Sequence, residues 1–566
     1  MSLLNAFFGL KYLVLLCFFS FLSPFVEQSW CLDRVKAGPV DITLEPVLSS
    51  QWVSYIQEED LFIRSTSTPP LKIRGNKGTG CVIMSPSFKV MGSSVFLAWV
   101  DRCQGESKVL FVSSHDNGKS FGKAVELATS AKSSLVRVLT DGKARLYVIE
   151  ASSAKEPGIT VHLSLDKGKT FKRIPLDIGG LEFVYNPAPV ITDDTLYIFF
   201  FGVMGGRKQM GVKAFEISSL KSLEYAMVKE TEEVSFNEAF AVKDKPVVIY
   251  KTVREGKFVL EGAVKGDKGW DSFSLKEAEG LDVARLDYHA WDDGRVLMVF
   301  SAEEREKFKQ RIYAAVSDAM GSKWSVRRID NKEFDNTRAW LPRMAVDGNK
   351  VAVVWEDSRD IRSGVRMKLS SDRGTTWGNR DIPLSDPKKY AFRPRMSFSE
   401  GGFYGVWDQF RDDEKKAADL VMVKLKWDEM LKMEARKPNV IGRKKKEALL
   451  RERVNTYWKG MVKKNMKVTY EINDPFYRAR IPFDYYTSRR GPMVYHRYSL
   501  EAVKIEGNVA TVSVKVTYDV PKIMILGKET SIPPKEVVVE DIYLFIDNTW
   551  FRKFVDALSG GGSIDY

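Results

Sequence analysis

The sequence predicts an all-β propeller of seven blades, or six, followed by a smaller C-terminal α+β domain. Three observations predict it. A hairpin corner occurs three times, an apolar strand marker returns about every 50 residues, and the pattern changes after Trp427. The corner is clearest at Ser370-Ser371-Asp372-Arg373-Gly374-Thr375-Thr376-Trp377. Asp372 can accept hydrogen bonds from backbone N–H groups ahead of it, and Gly374 supplies the positive φ that the turn needs. Ser370 and Thr376 add hydroxyl bonds, and Trp377 folds beneath as an apolar plug. Ser114-His115-Asp116-Asn117-Gly118-Lys119-Ser120-Phe121 and Ser164-Leu165-Asp166-Lys167-Gly168-Lys169-Thr170-Phe171 repeat it.

Taken in order, the chain opens with Lys11 and the apolar run Tyr12 to Leu22, which has the length of an export signal and is short for a membrane span. Residues 1–31 are expected to be a signal peptide, cleaved after Cys31, or an uncleaved N-terminal anchor. Export to the periplasm or the outside places the remaining cysteines in an oxidising space. Cys81 and Cys103 flank two strand-like runs joined at Gly92-Ser93. A hairpin centred on Gly92 sets them opposite each other, with Pro86 able to shift the register. A cross-strand disulfide is expected, with two free thiols as the alternative.

From Cys81 onward the marker falls at Trp99, Ile149, Phe200, Tyr250, Phe300, Trp355 and Trp407. Asp116 and Asp166 keep the same beat, and Asp372 lies four units on. In the final units Leu341-Pro342-Arg343-Met344 answers Arg393-Pro394-Arg395-Met396. Three or four short strands per unit with no helix between them are the pattern of blades, whose ring leaves only short sheet edges. The last unit, 391–428, lacks a corner, and a strand from 36–64 is expected to complete it. The propeller is thus placed at 32–430.

Residues 431–446 read as a basic linker containing Arg443-Lys444-Lys445-Lys446. A helix over 448–462 follows, with Leu450, Val454, Trp458 and Met461 on one face, then a short helix over 466–472 stopped at Asn473-Asp474-Pro475. Strands over 495–505, 509–520, 537–546 and 550–555 complete a domain at 447–557, and 558–566 is a flexible tail. The chain of 566 residues is 44% apolar and carries a formal charge of +13. Residues 435–566 hold 24 Lys and Arg against 15 Asp and Glu, so this quarter supplies +9 of it. A basic surface of this kind is a solvated face or a contact for an anionic partner.

The three Ser-x-Asp-x-Gly-x-Ser/Thr-aromatic corners on this beat resemble the Asp-box (BNR repeat) propellers, the superfamily that includes sialidases, over about 79–427. The resemblance implies a structural role for Asp116, Gly118, Phe121, Asp166, Gly168, Phe171, Asp372, Gly374 and Trp377, away from the substrate face. The helix-then-sheet pattern over about 447–557 resembles the NTF2-like (SnoaL-like) cone.

A propeller binds at the mouth of its channel, where the first strand of each blade starts. Those positions hold Asn186, Asn237, Glu238, Arg285, Asp287, Tyr288, His289, Arg338, Arg343, Arg393 and Arg395. Arginines converging with carboxylates and a tyrosine suit a carboxylated sugar. Arg285, Arg338, Arg343, Arg393 and Arg395 are the expected ligand-binding set. The alternative is that each arginine pairs within its own blade, as Arg343 with Asp347 or Arg285 with Asp287. The sialidase resemblance implies Tyr288 with Glu238 for attack, Asp287 beside them, and Asp101 or Glu106 for acid/base work. Lys72-Ile73-Arg74-Gly75 lacks the proline of that family's arginine motif. The first expectation is therefore a non-catalytic scaffold binding a glycan or a protein, and the second is an exo-sialidase-type glycoside hydrolase. His496 reads as a surface or packing residue. No cofactor, metal cluster, phosphate loop or nucleic-acid partner is expected, whereas membrane attachment through the N-terminal segment is.

Overall fold

A computed structural model describes residues 34–40, 46–130, 133–142, 144–152, 158–176, 183–231, 234, 236–304, 309–317, 323–332, 337–411, 417–436, 441–488, 490–525 and 528–554. The expected export segment, Cys17, Cys31 and the tail lie outside them. Among the described residues no helix is long and apolar enough to cross a membrane.

Between residues 34 and 425 the chain forms eight four-stranded antiparallel sheets. The first seven follow chain order, and the first strands of neighbouring sheets lie against one another on the inside. The eighth combines Ala391–Ser399, Gly402–Phe410 and Ala418–Leu425 with Arg34–Val40, which pairs antiparallel to Ala418–Leu425 on the outside. Each sheet shares a buried core with the next. Trp52 and Trp99 join the first to the second, and Val53, Tyr55, Val406 and Leu420 join the first to the eighth. The intervening cores complete the circle. The result is a closed β-propeller.

The expected seven or six units are corrected to eight sheets. The additional one is Val47–Ser49, Trp52–Gln57, Asp60–Ser65 and Leu71–Arg74. Its strands are short and it has no Asp corner, so the 50-residue beat does not reach it. An N-terminal strand does complete the last sheet, but it is Arg34–Val40.

All seven marker residues are buried in the cores between sheets. Second strands such as Ser94–Cys103 are packed by a neighbour on both faces, which is why they read as continuous apolar runs. The inner strands differ. Pro86, Pro187, Pro342 and Pro394 each lie at a register shift against the second strand. An inner strand is a sheet edge, so a missing N–H leaves no gap in a ladder. Ser85, Leu341 and Arg393, immediately before three of these prolines, have φ of 48°, 52° and 55°.

The corners are brackets between sheets. Ser114, Ser164 and Ser370 donate to the Oδ1 of Asp116, Asp166 and Asp372 at 2.7–2.8 Å, and accept from the N–H of Gly118, Gly168 and Gly374 at 2.7–2.9 Å. The hydroxyls of Ser120, Thr170 and Thr376 donate to the other carboxylate oxygen at 2.6–2.7 Å. Gly118 and Gly168 have φ of 69° and 85°, and a Cβ on either would strike Trp52 or Phe111 of the preceding sheet. Phe121, Phe171 and Trp377 pack on cores shared with the preceding sheet.

Cys81 and Cys103 are bonded. Near the turn the pairing is Met91 with Ser94, one residue away from the expected Gly92-centred register, and the shift between Met84 and Ser87 restores Cys81 opposite Cys103. Asp101 lies close to both sulfurs, but bridged thiols are not metal ligands.

Helix Trp427–Ala435 buries Met430 in the core between the seventh and eighth sheets. The next helix, Arg443–Val462, begins inside the expected linker and buries Leu450, Val454, Trp458 and Met461. Met466–Ile472 follows, then two further short helices, Pro475–Arg480 and Phe483–Ser488, that the sequence pattern did not suggest. Asp474 caps the first of these, accepting from the Tyr477 N–H at 2.8 Å. The closing sheet is Val494–Glu506, Val509–Ile525, Lys528–Ile546 and Thr549–Arg552. This unit has its own core around Trp458, Val514, Tyr543 and Trp550. It docks through Phe476, Leu544 and Ile546, which join the core between the eighth and first sheets.

Candidate functional site

Strand register fixes which face of the ring is which. Ala339 pairs with Asp357 and Ala391 with Gln409, so inner strands start beside the ends of second strands. The turn Asp360-Ile361-Arg362 therefore lies on the face where inner strands begin. The Asp corners lie on the opposite face, since the Arg373 N–H donates to the Asn349 carbonyl and that of Asn117 to Ser93, both at 2.9 Å. The C-terminal unit docks on the first face. Asn508 Nδ2 donates to the Arg359 carbonyl at 2.8 Å, and Arg362 meets Asp547 at 3.3 Å.

At the mouth on that face, the Arg338 guanidinium lies 3.7 Å over the Trp340 ring. Beside it Glu356 is buried, accepting from Ser363 Oγ at 2.7 Å and from the Arg393 N–H at 3.1 Å, and burial pushes its carboxyl up. Arg393 Nε bonds Asp408 Oδ2 at 2.6 Å, inside its own sheet and out of solvent. For Arg393 the own-blade alternative therefore holds, and the bulge at Pro394 turns it away from Arg395.

The other arginines lie deeper. Arg343 and Arg395 sit at the middle of Ala339–Asp347 and Ala391–Ser399 rather than at the strand starts. Their partners on the second strands, Val354 and Val406, lie three residues from those of the strand starts, Asp357 and Gln409, which places them roughly 10 Å below the mouth. This corrects the expectation that all five arginines share the rim. Arg343 Nη1 donates to the Pro342 carbonyl at 3.0 Å and Arg395 Nη1 to Pro394 at 3.1 Å. Arg137, in the inner strand Ser133–Thr140, does the same to Val136 at 3.2 Å.

Arg137 stands 12 residues before Ile149, as Arg343 and Arg395 stand before Trp355 and Trp407. Glu238 and Tyr288 stand equally far before Tyr250 and Phe300. The third, fifth, sixth, seventh and eighth sheets thus each send one of these residues to a similar depth. Arg137 is inconspicuous in the sequence because its unit lacks the Pro-Arg dipeptide that marks the final two units.

Glu238 reaches solvent in the ring's centre yet is walled in by protein, and this desolvation pushes its carboxyl up. Arg137 and then Arg343 pull it down, and Asp287 adds to the rise. Arg137, Glu238 and Arg343 form no ion pair among the described residues. Arg285 is exposed and likewise forms none. The own-blade pairs proposed for Arg343 and Arg285 are absent. Asp347 faces Lys350 at 3.5 Å, while Asp287 accepts from the Met344 N–H at 2.8 Å and the Tyr288 N–H at 3.0 Å.

Tyr288 donates its hydroxyl to the Ala239 carbonyl at 3.0 Å and stacks on Phe240 at 4.5 Å. Burial, then Glu238 and Asp287, push the phenol well above its ordinary range. His289 is half-buried edge-on to Trp291, and burial lowers its pKa. Asn237 is buried, and the Asn186 side chain lies outside the described residues. Asp101 is buried, one oxygen held by Arg74 Nε at 3.0 Å and the other by Asn76 Nδ2 at 2.6 Å. Glu106 is exposed at the start of the next strand, Glu106–Ser114. His496 is exposed and pairs with Asp519 at 2.9 Å.

No family model matches the chain, and no curated protein does. Among solved structures it is similar to a polysaccharide lyase described as an ulvan lyase, at 9% identity and a TM-score of 0.41, over 61% of this chain and 93% of that one. It is also similar to the β-propeller domain of the trilobed protease of Pyrococcus furiosus, at 11% identity and a TM-score of 0.36, over 60% and 97%. The phage phi92 endosialidase aligns at 10% identity and a TM-score of 0.35, over 67% and 72%.

Proposed function

We propose that the chain is an exported binding propeller whose central channel takes a carboxylate-bearing glycan without cleaving it. Arg137 and Arg343 carry this reading. Each faces the channel, held by one bond to the preceding carbonyl, with no carboxylate in contact among the described residues. A guanidinium steadied in this way presents its remaining N–H fork to a planar anion, the geometry in which arginine binds carboxylate best. Arg395 and Arg285 extend the same surface, and Arg338 on Trp340 forms its outer edge. Arg393 belongs to the scaffold.

The exo-sialidase reading has one observation on its side, the Glu238 carboxyl near Tyr288. Against it, the phenol is donated elsewhere and pushed up rather than activated, and Asp101 is clamped on both oxygens. In this proposal 1–31 directs export to the periplasm or the outside, the Asp corners are Asp boxes, and 447–557 is an NTF2-like unit beside the mouth.

Calorimetry against sialic acid and several uronic acids tests the reading, using the wild type, Arg137→Ala, and Arg343→Ala combined with Arg395→Ala. Affinity should fall at least tenfold in the variants, roughly the loss of one charge-assisted bond. Unchanged affinity for every acid the wild type binds removes the channel from the story. Release of fluorophore from a fluorogenic sialoside that disappears in Tyr288→Phe would instead make the protein a hydrolase.

A further inference from the structure

We infer that binding an acid in the channel is coupled to uptake of one proton by Glu238, so that a neutral carboxyl meets the bound carboxylate. This deepens the channel reading and rests on it. Arg137, Glu238 and Arg343 stand at one level on the inner strands of the third, fifth and seventh sheets, paired with Ile149, Ile249 and Val354, and both arginines act on Glu238. An acid gripped by both arginines is therefore brought beside Glu238.

Among the described residues, the charged and titratable groups facing Glu238 are Arg137, Arg343, Asp287 and Tyr288. Two of them cannot relieve the approach of a second carboxylate. Asp287 already accepts from the N–H groups of Met344 and Tyr288, one on each carboxylate oxygen. The Tyr288 proton is held on the Ala239 carbonyl. The Glu238 side chain makes no hydrogen bond among the described residues, so a proton added to it is available for donation to the ligand. Like carboxylates that share a site cannot both remain ionised, and one takes up a proton. Its walled-in setting already favours the protonated form.

The step balances simply. One acid anion enters from solvent, one proton enters from water or buffer, and the charge of the protein and its bound ligand together is that of the empty protein. Glu238 is thereby a specificity-determining residue. It admits acids that accept a hydrogen bond from a carboxyl, and it weakens binding as the pH rises.

Calorimetric titration of the wild-type chain with D-glucuronate and with N-acetylneuraminate, in buffers of unlike ionisation enthalpy between about pH 5 and pH 8, reads the coupling directly. Uptake should approach one proton per acid bound at the upper end, with affinity falling toward tenfold per pH unit there. Glu238→Gln, neutral at every pH, should bind with no uptake and a flat profile. Glu238→Ala serves the same purpose if the glutamine variant does not fold. Wild-type binding with no proton uptake and no pH dependence overturns the coupling and leaves the channel reading intact. Uptake that persists in both variants overturns its assignment to Glu238. Failure of any acid to bind at any pH overturns the channel reading and the coupling together.

Discussion

Asp166 on one face of the ring and Glu238 in its channel both reach solvent, yet their carboxyl groups are displaced in opposite directions. Asp166 is held down to about 2, first by the Thr170 N–H, then by the Thr170 and Ser164 hydroxyls. Asp116 is lowered by the corresponding bonds from Ser120 and Ser114. Asp372 is lowered as well: burial opposes the shift, but bonds from Thr376 and Ser370 outweigh it. Glu238 has no such donors and is pushed up by its walls. The difference lies in who satisfies the charge. Each corner supplies every partner from within eight residues, so its carboxylate is finished when the turn folds. The channel carboxyl is surrounded but unserved, and Arg137 and Arg343 near it each have one bond, to a backbone carbonyl, and no carboxylate partner among the described residues. Groups the fold has satisfied are parts of the scaffold, and groups it has only enclosed remain available to a ligand.

If that distinction is right, substitutions at the two places should fail in different assays. The largest effect is expected at a corner. Gly118→Ala adds a Cβ against the Trp52 ring and requires a left-handed backbone from alanine. Stability to urea should drop by about 2–4 kcal/mol. The fraction that remains folded should bind acids with unchanged affinity. A smaller effect is expected in the channel. Arg137→Ala should weaken acid binding by about 1.5–3 kcal/mol, the range for a bond to a charged group, while shifting the urea midpoint little. A corner variant that abolishes binding while fully folded would break the comparison, and so would a channel arginine whose loss unfolds the ring.

The same distinction explains what could be read from the sequence. The corners were legible because their partners are neighbours in the chain. Ser164, Asp166, Gly168, Thr170 and Phe171 spell out a finished structure in one short stretch. The disulfide was legible for a less satisfactory reason. The hairpin turn is offset by one residue, the bulge at Pro86 is offset by one the other way, and the two cancel at Cys81 and Cys103. The first sheet was not legible, because Trp52–Gln57 and its neighbours are short and bring no corner to carry the beat. The channel was half legible. A spacing of 12 residues before the marker finds Arg343 and Arg395, and the same spacing finds Arg137, Glu238 and Tyr288. What it cannot give is commitment. Arg393 and Arg395 are two residues apart, yet the Pro394 bulge sends Arg393 to Asp408 and leaves Arg395 at the level of the channel set.

The smallest expected effect is also the most direct reading of the comparison, because it concerns the sign of a pH dependence. A carboxyl whose folded pKa is depressed contributes stability that is present above its unfolded pKa and is lost as pH falls through the folded one. For Asp166 the ordinary value is 3.8 and the folded value about 2, so its contribution should fade between about pH 4 and pH 2. A carboxyl whose folded pKa is raised behaves oppositely. Its contribution is complete below the ordinary value, 4.5 for Glu238, and is lost as pH rises through the folded one. Asp166→Asn should therefore be less stable than wild type at neutral pH, with the gap narrowing as the solution is acidified below about pH 4. Glu238→Gln should match wild type near pH 4 and become the more stable chain as the pH rises above it. Thermal midpoints of the three proteins without ligand, taken from about pH 3 to pH 8, give both slopes in one experiment. Slopes of the same sign would mean that Glu238 is served by its surroundings after all, and the line between satisfied and enclosed groups would fall.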